Sequence, residues 1–458
     1  MQDFDIVIRG GLLVLPDEGV TEGQIGVRDG KIAAILSPTV KVSCAQVVDA
    51  ESCYVMPGLI DPHTHFGFGS PERDFVTESR SAAVGGVTTV LSYYRADNYL
   101  ESFPAYLSQA ASQLQIDFSF HFGITSSVHV ESLRHYAREF GVNSFKFYLM
   151  YKGAAGASKG FTEIDDGLLF AALQAAGRVP GTVMGVHCEN VEVASWLRKA
   201  LQAEGRNDLA AWDEQSPDYL EAENVHRVCY FAAKTDAEVY IVHVSSKEAL
   251  DEVRRHKARY AGIHAETCPH YLLLRKDLPL GASGKVNPPL RSQKDVDALW
   301  EGVLDGTIDT IGSDHVPRKR STKNGGVWKA SAGFPGVATM LPLLMDEGVA
   351  KRGVPVERIA ALTSMNVARL FRLKGKGNIA AGYDADLVVV DPHKEQVVDS
   401  SRLESHADYS VYDGMRLRGW PRLTMVRGTV VARDGVVTGK EGHGRMVPRW
   451  PLGPAENE

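Results

Sequence analysis

The sequence contains little cysteine and no long apolar run, and these absences exclude several classes of protein. Its five cysteines are scattered and form no CxxC pair, which disfavours a disulfide framework and suits reduced thiols in the cytoplasm. No window approaches the roughly 18 apolar residues of a membrane-spanning helix, and the mean hydropathy is −0.16. The opening residues, MQDFDIVIRGG, lack the apolar segment of a signal peptide.

The sequence also lacks an excess of positive charge. Its 50 basic and 57 acidic residues give a formal net charge of −7, and charges of both signs are interspersed. This pattern offers no basic stripe for nucleic acid and no polybasic patch for anionic lipid. Hydrophobic residues make up 44% and charged residues 23%, as in ordinary globular proteins. We therefore expect a cytoplasmic globular protein with no nucleic-acid or membrane partner.

Both ends of the chain read as short strands joined by tight turns. Two-residue hairpin signals occur at Asp29-Gly30 and at Asp434-Gly435, each between alternating apolar segments. These ends predict one small β-sandwich domain made from both termini, and the Pro-rich last residues predict a tail that lies on a neighbouring surface or is disordered. The predicted boundaries are 1–53 and 374–444 for the sandwich, 54–373 for a central domain and 445–458 for the tail.

The central domain consists of eight short apolar runs that alternate with helical stretches. The runs are YVMPGLIDPHTH, GVTTVLSYY, IDFSFHFGIT, VNSFKFYLM, TVMGVHCEN, EVYIVHVSS, GIHAETC and TIDTIGSDH. Alternation of strand and helix is typical of a parallel sheet. Eight strands over about 300 residues favour a (β/α)8 barrel over an open sheet. No GxGxxG stands at a strand-to-helix turn to favour a dinucleotide site. The predicted fold class is α/β, a TIM barrel with a β-sandwich domain.

The first polar cluster follows the first of these runs. His63 and His65 stand two residues apart in DPHTH. Because residues two apart in a strand point to the same side, both imidazoles can reach one metal ion at the carboxyl end of the strand. A pair of solvent-facing histidines is the alternative, and the HxH motif by itself does not decide between the two.

Three further candidates stand at the carboxyl ends of later predicted strands. His187 follows the apolar part of the fifth run, His243 that of the sixth, and Asp314 that of the eighth. Barrel enzymes build their active sites on that face. Each residue alone could be a satisfied polar group of the core. Their shared placement predicts a common site.

Lys146 is the most unusual residue of the fourth run, because it lies between Phe145 and Phe147. An unpaired ammonium is costly to bury, so this lysine must be neutralised, paired or modified, unless its side chain extends to the barrel mouth. Carboxylation by CO₂ would remove the charge problem and convert the lysine into an anionic bridge between two metal ions.

Taken together, these motifs resemble the binuclear amidohydrolase superfamily. More narrowly, SFKFYLMYKG, HCEN, HVSS, ETCPHYL, NPPLR and GSDHVP are similar to segments of the cyclic amidohydrolases, namely hydantoinase, dihydropyrimidinase, allantoinase and dihydroorotase. The resemblance covers nearly the whole chain, including the PGLID and AGYDADLVVVDP segments. It implies metal-dependent hydrolysis of a small cyclic amide, such as a hydantoin, a dihydropyrimidine or a related imide or ureide, by a homodimer or homotetramer.

The resemblance also implies a role for each residue of the site. It implies two divalent ions, most commonly Zn²⁺. The more buried ion is assigned His63, His65 and Asp314, and the more exposed ion is assigned His187 and His243. Carboxylated Lys146 (N6-carboxylysine) and a hydroxide bridge the ions. Asp314 accepts the proton of the hydroxide and delivers it to the departing amide nitrogen. Neutral imidazole ligands imply that activity is lost at acidic pH.

Contacts to the substrate are implied in the same way. Tyr151 matches the tyrosine with which hydantoinases and dihydropyrimidinases hydrogen-bond the developing oxyanion, although a core or interface tyrosine is the alternative. Asn287 falls in the loop that contacts the substrate ring through backbone groups. His315, His270 and His121 are expected to orient neighbouring groups rather than to bind metal.

Several positions depart from the family pattern. Dihydroorotases and allantoinases carry an arginine two residues after the HxH motif, where this chain has Gly67. Hydantoinases have an asparagine where Ala332 stands and a serine where Asn287 stands. Arg95 occupies about the place of an asparagine that lies near the substrate in dihydroorotases. It either selects the substrate or is a surface residue that pairs with Asp97.

Two other functions are therefore open besides a hydantoinase or dihydropyrimidinase. The first is an allantoinase or dihydroorotase relative in which the arginine function has moved, with Arg95 as the candidate. The second is a non-catalytic scaffold such as the dihydropyrimidinase-related proteins. Those proteins lack several metal ligands, whereas all six ligand positions are filled here, so the sequence favours an enzyme.

Overall fold

The computed structural model describes residues 2–447 and Arg449. The strands in this part of the chain are β1 (Phe4–Arg9), β2 (Leu12–Leu15), β3 (Gly19–Glu22), β4 (Gln24–Arg28), β5 (Lys31–Leu36), β6 (Cys44–Asp49), β7 (Tyr54–Pro57), β8 (Leu59–Thr64), β9 (Val87–Tyr94), β10 (Asp117–Ile124), β11 (Ser144–Tyr148), β12 (Val183–His187), β13 (Glu238–Ile241), β14 (Ile263–Thr267), β15 (Thr310–Ile311), β16 (Leu387–Val397), β17 (Arg416–Val426), β18 (Thr429–Arg433) and β19 (Val436–Val437).

Helices connect and cover the strands. They are α1 (Asp74–Val84), α2 (Tyr99–Gln113), α3 (Ser127–Glu131), α4 (Leu133–Phe140), α5 (Ala154–Ala157), α6 (Asp166–Gly177), α7 (Val191–Ala203), α8 (Leu209–Glu214), α9 (Asp218–Thr235), α10 (Lys247–Lys257), α11 (Gln293–Asp305), α12 (Met340–Leu343), α13 (Val356–Ala360) and α14 (Asn366–Leu370). Two π-helical segments, Leu344–Lys351 and Ala361–Met365, continue α12 and α13. Among the described residues, no helix combines the length and apolarity needed to cross a membrane.

Strands β8 to β15 form an eight-stranded parallel barrel in which each strand pairs with the next one in sequence. A bridge between Thr64 and His315 brings the two ends of this sheet together, and the His65 amide donates to the His315 carbonyl oxygen at 2.9 Å. The inner strands are buried along their length, as expected of a parallel sheet covered by helices. The predicted (β/α)8 barrel is confirmed. The eighth strand is much shorter than the run that predicted it.

Strands from the two ends of the chain pack beside the barrel in two sheets. One sheet has the order β5-β4-β1-β6, and the other has the order β19-β18-β17-β16-β7-β2-β3. Apolar side chains from both sheets, such as Ile25 and Leu423, share one core. Both predicted hairpins are present, with positive φ at Asp29 and Gly30 and at Asp434 and Gly435, which the two-residue turn requires.

The described part of the predicted tail packs at the amino-terminal end of the barrel. Phe118 of β10 donates to the Arg445 carbonyl oxygen at 3.0 Å, and Val447 donates back to Phe118 at 2.8 Å. The buried Arg449 guanidinium donates to the Ser119 hydroxyl at 2.9 Å and to the Phe120 carbonyl oxygen at 2.5 Å. Residues 448 and 450–458 of the predicted tail lie outside the described residues.

Candidate active site

A buried cluster lies where the first and last barrel strands meet. The Asp314 carboxylate oxygen Oδ1 is 3.2 Å from His63 Nε2 and 3.0 Å from His65 Nε2. One ligand atom from each residue lies within 4.8 Å of the others. Two imidazoles and a carboxylate form a donor set that Zn²⁺ and similar divalent ions accept.

The electrostatics of this cluster favour the metal-binding protonation state of Asp314 and of His65, but not that of His63. Burial by itself would raise the pKa of Asp314, but His63 and His65 hold that pKa well below its usual value. Burial lowers the pKa of His65 to about 4. Burial also disfavours a charged His63, yet Glu266 and Asp314 outweigh it and raise its pKa to about 9. An ionised Asp314 and a neutral His65 are therefore ready to act as ligands, while a proton competes for His63.

Asp61 joins the two chain segments that supply the cluster. Its Oδ1 accepts hydrogen bonds from the backbone amides of His63, at 3.1 Å, and Ser313, at 3.0 Å. Its Oδ2 accepts the Ser313 hydroxyl at 2.5 Å. Asp314 itself has a φ of 49°, a left-handed conformation that is costly for a residue other than glycine. The side chain of Asp61 thus holds the loop that aims Asp314 at the histidines.

A second pair of histidines continues the cluster. The ring centroids of His187 and His243 are 4.5 Å apart, and His243 is 5.4 Å from His63. His243 lies just beyond β13 with a φ of 44°, and burial holds its pKa well below the usual value, so its imidazole is neutral. The His187 Nε2 atom is 2.6 Å from the Glu189 carboxylate, which also accepts the Ser216 hydroxyl at 2.8 Å.

Lys146 lies between these two groups with its ammonium unpaired. The side chain is about 1% exposed, and Nζ has no hydrogen-bond partner among the described residues. Burial lowers its pKa to about 8, and Nζ is 4.8 Å from the centroid of the Tyr93 ring. The Nδ1 atoms of His65 and His243 are likewise buried without a partner. Buried polar atoms rarely lack partners, so these three fit a site that holds ions and a modified lysine.

The four histidines, Asp314 and Lys146 line one cavity of about 640 Å³ at the carboxyl end of the barrel, a volume suited to a small molecule. The residues predicted for the site that line it are His63, His65, Lys146, Tyr151, His187, His243, Asn287 and Asp314. The structure therefore brings the predicted metal-ligating residues and the two predicted substrate-binding residues to one place.

Arg95 and Tyr151 meet on one wall of this cavity. Arg95 Nη1 donates to the Tyr151 hydroxyl oxygen at 3.3 Å. The guanidinium carbon lies 5.2 Å from the Phe68 ring centroid and 5.6 Å from that of Phe161. Among the described residues Arg95 makes no ion pair, so the alternative that it is a surface residue paired with Asp97 is wrong.

The comparisons with known proteins agree with this arrangement. The model of the amidohydrolase family matches residues 54–431. The chain belongs to the amidohydrolase family. It is 34% identical to the L-hydantoinase of Paenarthrobacter aurescens over 97% of this chain and 98% of that protein. It is also 34% identical to the allantoinase of Rubrobacter xylanophilus over 96% of this chain and 97% of that protein.

Solved structures of this amidohydrolase group superimpose on the chain. The L-hydantoinase (dihydropyrimidinase) from Arthrobacter aurescens gives a TM-score of 0.90 at 33% identity, covering 97% of this chain and 100% of that one. The dihydropyrimidinase from Brevibacillus agri gives 0.89 at 29% identity, covering 98% and 99%. The predicted family, fold class and enzyme class, a hydrolase of the cyclic-amide type, are confirmed.

Glu266 is a residue of the amidohydrolase site that the sequence analysis missed. It is fully buried near the end of β14, where its Oε1 lies 2.6 Å from His63 Nδ1 and accepts the His243 amide at 3.0 Å. Its Oε2 accepts the Tyr240 hydroxyl at 2.7 Å. One carboxylate thus orients residues from both metal-ligand groups. The available signal was an acidic residue near the end of the predicted strand IHAET, on the face where barrel enzymes build their sites.

The three histidines expected to orient their neighbours lie behind the site. His315 Nε2 is 2.8 Å from the buried Glu78 carboxylate. His121 Nδ1 is 2.6 Å from the Ser144 hydroxyl, and its ring stacks on that of Tyr93 with centroids 4.6 Å apart. His270 is buried next to Phe334, and its Nε2 has no partner among the described residues. Their positioning roles stay predictions.

Most departures from the family pattern lie at the cavity, and Gly67 lies beside Phe68, which lines it. Gly67 has a φ of 91°, and its amide donates to the Asp74 carboxylate at 2.9 Å. Ala332 and Asn287 line the cavity directly. Gly67 cannot supply the positive charge that the arginine provides in dihydroorotases and allantoinases. A cationic side chain that contacts the substrate must therefore come from another position in the chain.

Proposed function

We propose that the chain hydrolyses the C–N bond of a cyclic amide, a hydantoin, dihydropyrimidine or related cyclic imide or ureide, with two divalent metal ions. The observation that carries this proposal is the convergence of four histidines, Asp314 and the unpaired Lys146 in one cavity at the carboxyl ends of the barrel strands. Kinship with hydantoinases and a dihydropyrimidinase supports the choice of substrate class.

The residues of the site divide naturally between two ions, which we expect to be Zn²⁺. The first ion would be held by His63, His65 and Asp314, and the second by His187 and His243. Lys146, as N6-carboxylysine, would contribute one oxygen to each ion. When bound, such ions lower the pKa of water and polarise a carbonyl group.

We assign proton transfer to Asp314. Its pKa is held well below the usual value, so the carboxylate is ionised and able to accept a proton. The oxygen of the attacking water forms a bond to the carbonyl carbon, and its proton passes to Asp314. As the C–N bond breaks, Asp314 returns that proton to the departing nitrogen, which leaves as a neutral group.

Tyr151 is assigned to the carbonyl oxygen, on which negative charge develops. Its hydroxyl oxygen accepts a hydrogen bond from Arg95, so its own proton is left to be donated into the cavity. A donor placed in this way stabilises the developing oxyanion. Asn287, in the loop that follows β14, would contact the ring through its backbone groups.

The proposal is tested by a substrate panel. Purified protein loaded with Zn²⁺ in bicarbonate is offered dihydrouracil, hydantoin, succinimide, allantoin and dihydroorotate, and ring opening is followed by absorbance. We expect about two metal ions per chain and fastest opening of a hydantoin or dihydropyrimidine ring. Full metal content without opening of any ring would contradict the proposal.

Hydrolysis of allantoin is the second candidate function. It is supported by the allantoinase relative and by Arg95, which brings into the cavity a guanidinium that makes no ion pair among the described residues. Selective opening of allantoin in the same panel, lost in Arg95→Ala, would favour this candidate. Selective opening of dihydroorotate that is likewise lost in Arg95→Ala would favour a dihydroorotase-like enzyme instead.

We further propose a cytoplasmic homodimer or homotetramer. All five cysteines are free, and four of them are buried, as suits a reducing compartment. Large side chains that could form a subunit interface are exposed on α7 and α9, including Trp196, which is 74% exposed, and Tyr230. Light scattering after gel filtration would give the subunit number, and a monomer at micromolar concentration would contradict the assembly.

A further inference from the structure

The proposed reaction leaves a strongly cationic part of the cavity without a role. Besides Lys146, six cationic side chains line the cavity, namely Arg95, Lys159, Arg198, Lys285, Arg318 and Lys329. Only two carboxylates line it, Glu189 and Asp314, and both are bonded to histidines. The charge of the cavity wall is thus opposite in sign to the net charge of −7 of the whole chain. Such a wall attracts anions.

Lys285 is the most deeply buried of these six cations. It is about 5% exposed, and its Nζ lies 3.9 Å from the centroid of the Trp212 ring, a cation–π contact. Among the described residues it makes no ion pair with a carboxylate. Burial, with the charge of Arg198 nearby, lowers its pKa to about 8. A cation in this position is costly until an anion joins it.

Arg198, on α7, approaches the same Trp212 ring, with its guanidinium carbon 5.2 Å from the ring centroid. Its Nε and Nη2 donate to the amide oxygen of Gln215 at 3.2 and 2.9 Å, so its hydrogen-bond partner is neutral. Glu189 also lines this cavity but is engaged with His187 and Ser216. Two cations therefore lie against one indole ring, and no carboxylate of the described residues forms an ion pair with either.

Two neighbouring cations are also held by neutral groups. Lys323 Nζ donates to the carbonyl oxygens of Lys285 and Ser331 at 3.1 and 2.8 Å. Arg318 Nε donates to the Ala332 carbonyl oxygen at 2.9 Å. Burial and the charges of Arg318 and Lys285 lower the pKa of Lys323 to about 7. An anion from outside the protein would relieve the repulsion within this wall.

We propose that Lys285 and Arg198 bind a carboxylate carried by the substituent of the cyclic amide substrate. This inference rests on the proposed function and names its substrate class. The ring amide must face the metal-ligating residues, and it carries no charge that could neutralise the cationic wall. A carboxylate on the substituent supplies that charge, and the planar guanidinium can bind both of its oxygens.

The position of the pair suits this role. Lys285 stands two residues before Asn287, in the loop that we expect to contact the ring. The Trp212 indole N–H donates to the Val286 carbonyl oxygen at 3.0 Å and so ties this loop to α8. The loop, the indole ring and Lys285 are therefore fixed relative to one another before a ligand arrives, which reduces the entropy cost of binding.

A matched pair of substrates tests the proposal. Hydantoins that carry a 2-carboxyethyl or a 2-carbamoylethyl group on ring carbon 5 have nearly the same size and differ in charge. We expect kcat/KM of the wild type to be at least about tenfold higher for the carboxylate, the effect of one or two charged hydrogen bonds. The ratio should fall with added salt. A ratio near one at low salt would overturn the proposal.

Two variants locate the effect. Lys285→Met keeps the stem of the side chain on Trp212 and removes the charge, and Arg198→Gln removes the second cation. Each should reduce the carboxylate-to-carbamoyl ratio at least about fivefold, mainly through KM for the carboxylate substrate. The control is Lys294→Met on α11, where an exposed lysine pairs with Asp218 at 3.4 Å outside the cavity. That variant has the same change of charge and should keep the wild-type ratio.

The outcomes separate this inference from the proposed function. If both variants lower the two kcat/KM values in proportion, Lys285 and Arg198 have structural roles and the inference is wrong. If unsubstituted hydantoin is opened but the carboxylate is not preferred, the inference fails and the proposed function stands. If neither hydantoin nor any other ring is opened, the proposed function itself fails. Should a variant not fold, the wild-type ratio and its salt dependence still decide the matter.

Discussion

Buried lysines at the two ends of the barrel lie in opposite surroundings. Where the barrel meets the β-sandwich, Lys376 is surrounded by three carboxylates, with Nζ at 2.5 Å from Asp117, 2.9 Å from Asp384 and 2.5 Å from Asp386. At the cavity end, Lys146 and Lys285 are just as buried, yet neither contacts a carboxylate of the described chain. The same residue type thus has its charge balanced at one end and unbalanced at the other.

The difference teaches how to separate structural from functional charges in this molecule. The carboxylates around Lys376 come from the barrel and from the segment before β16, so this ion cluster joins two parts of the fold. An unbalanced buried charge stabilises nothing and persists only where it serves a ligand or a reaction. The predictions below test this distinction from the largest expected effect to the smallest.

The largest effect should come from Lys146→Met. If the lysine is carboxylated and holds both ions, its loss should lower kcat by more than about a thousandfold, since metal ions contribute several kcal/mol to such reactions. In the metal-free protein the variant should unfold at the same temperature as the wild type or higher, because a buried amine without partners is removed. Turnover and calorimetry measure these two effects, and the metal content shows whether the ions are lost. More than a tenth of the wild-type activity would contradict the assignment.

Lys376→Met should show the reverse pattern. It removes the cation that three carboxylates share. Arg427 still pairs with Asp117 and Lys31 with Asp384, but the buried Asp386 is left without an ion-pair partner among the described residues, so the free energy of unfolding should fall by about 3–5 kcal/mol in denaturant titrations. The folded fraction should keep its activity, since Lys376 lies outside the cavity. The control is Lys31→Met, which removes a half-exposed lysine that also pairs with Asp384. This substitution should lower the free energy of unfolding by at most about 1 kcal/mol. Equal losses in the two variants would contradict the comparison.

How far the sequence predicts this molecule depends on whether a feature is local. The metal-ligating residues were predictable because each stands at the end of an apolar run, and a parallel barrel places all such ends together. Lys146 was conspicuous because two phenylalanines flank it. The hairpins were predictable because Asp-Gly accepts the positive φ of a two-residue turn.

Features that depend on distant partners were not predictable. Glu266 binds His63, which lies 203 residues earlier in the chain, and nothing near Glu266 indicates that contact. Similarly, β15 ends at Ile311, and Ser313 just beyond it bonds to Asp61, 252 residues away. The cationic wall was missed for the same reason. Its residues come from separate loops and helices, and the net charge of the chain has the opposite sign.

Asp314→Asn tests the carboxylate that contacts both His63 and His65 at the cavity end. The amide keeps the shape but cannot accept the proton, so kcat should fall by at least about a hundredfold, the usual contribution of a positioned general base. Metal content, measured in parallel, separates loss of the base from loss of an ion. A variant that keeps both ions and near wild-type turnover would show that another group moves the proton.

Arg95 should have a smaller effect. If it orients the Tyr151 hydroxyl, Arg95→Ala should lower kcat about tenfold, the value of a hydrogen bond that involves a charged group. Arg95→Lys should restore activity only in part, because an ammonium lacks the planar guanidinium that contacts the surrounding rings. When Arg95→Ala is added to the Tyr151→Phe variant, kcat should not fall further than in Tyr151→Phe alone. A raised KM with unchanged kcat would instead make Arg95 a substrate-binding residue.

The smallest effect concerns pH and the carboxylate preference. Burial lowers the pKa of Lys285 to about 8, so the free protein carries this charge below pH 8 and loses it above, whereas the carboxylate substrate stays ionised throughout. Nearby Lys323, with a pKa of about 7, loses its charge at lower pH, and Arg198 keeps its own. The carboxylate-to-carbamoyl ratio should therefore decrease severalfold between pH 7 and pH 9 and level off at the contribution of Arg198.

Taking the ratio of the two kcat/KM values cancels ionisations of the ring and of the metal centre, which affect both substrates alike. In Lys285→Met the ratio should already be low at pH 7 and should change much less. A wild-type ratio that is constant over this range would mean that Lys285 is not the group that balances the charge of the substrate.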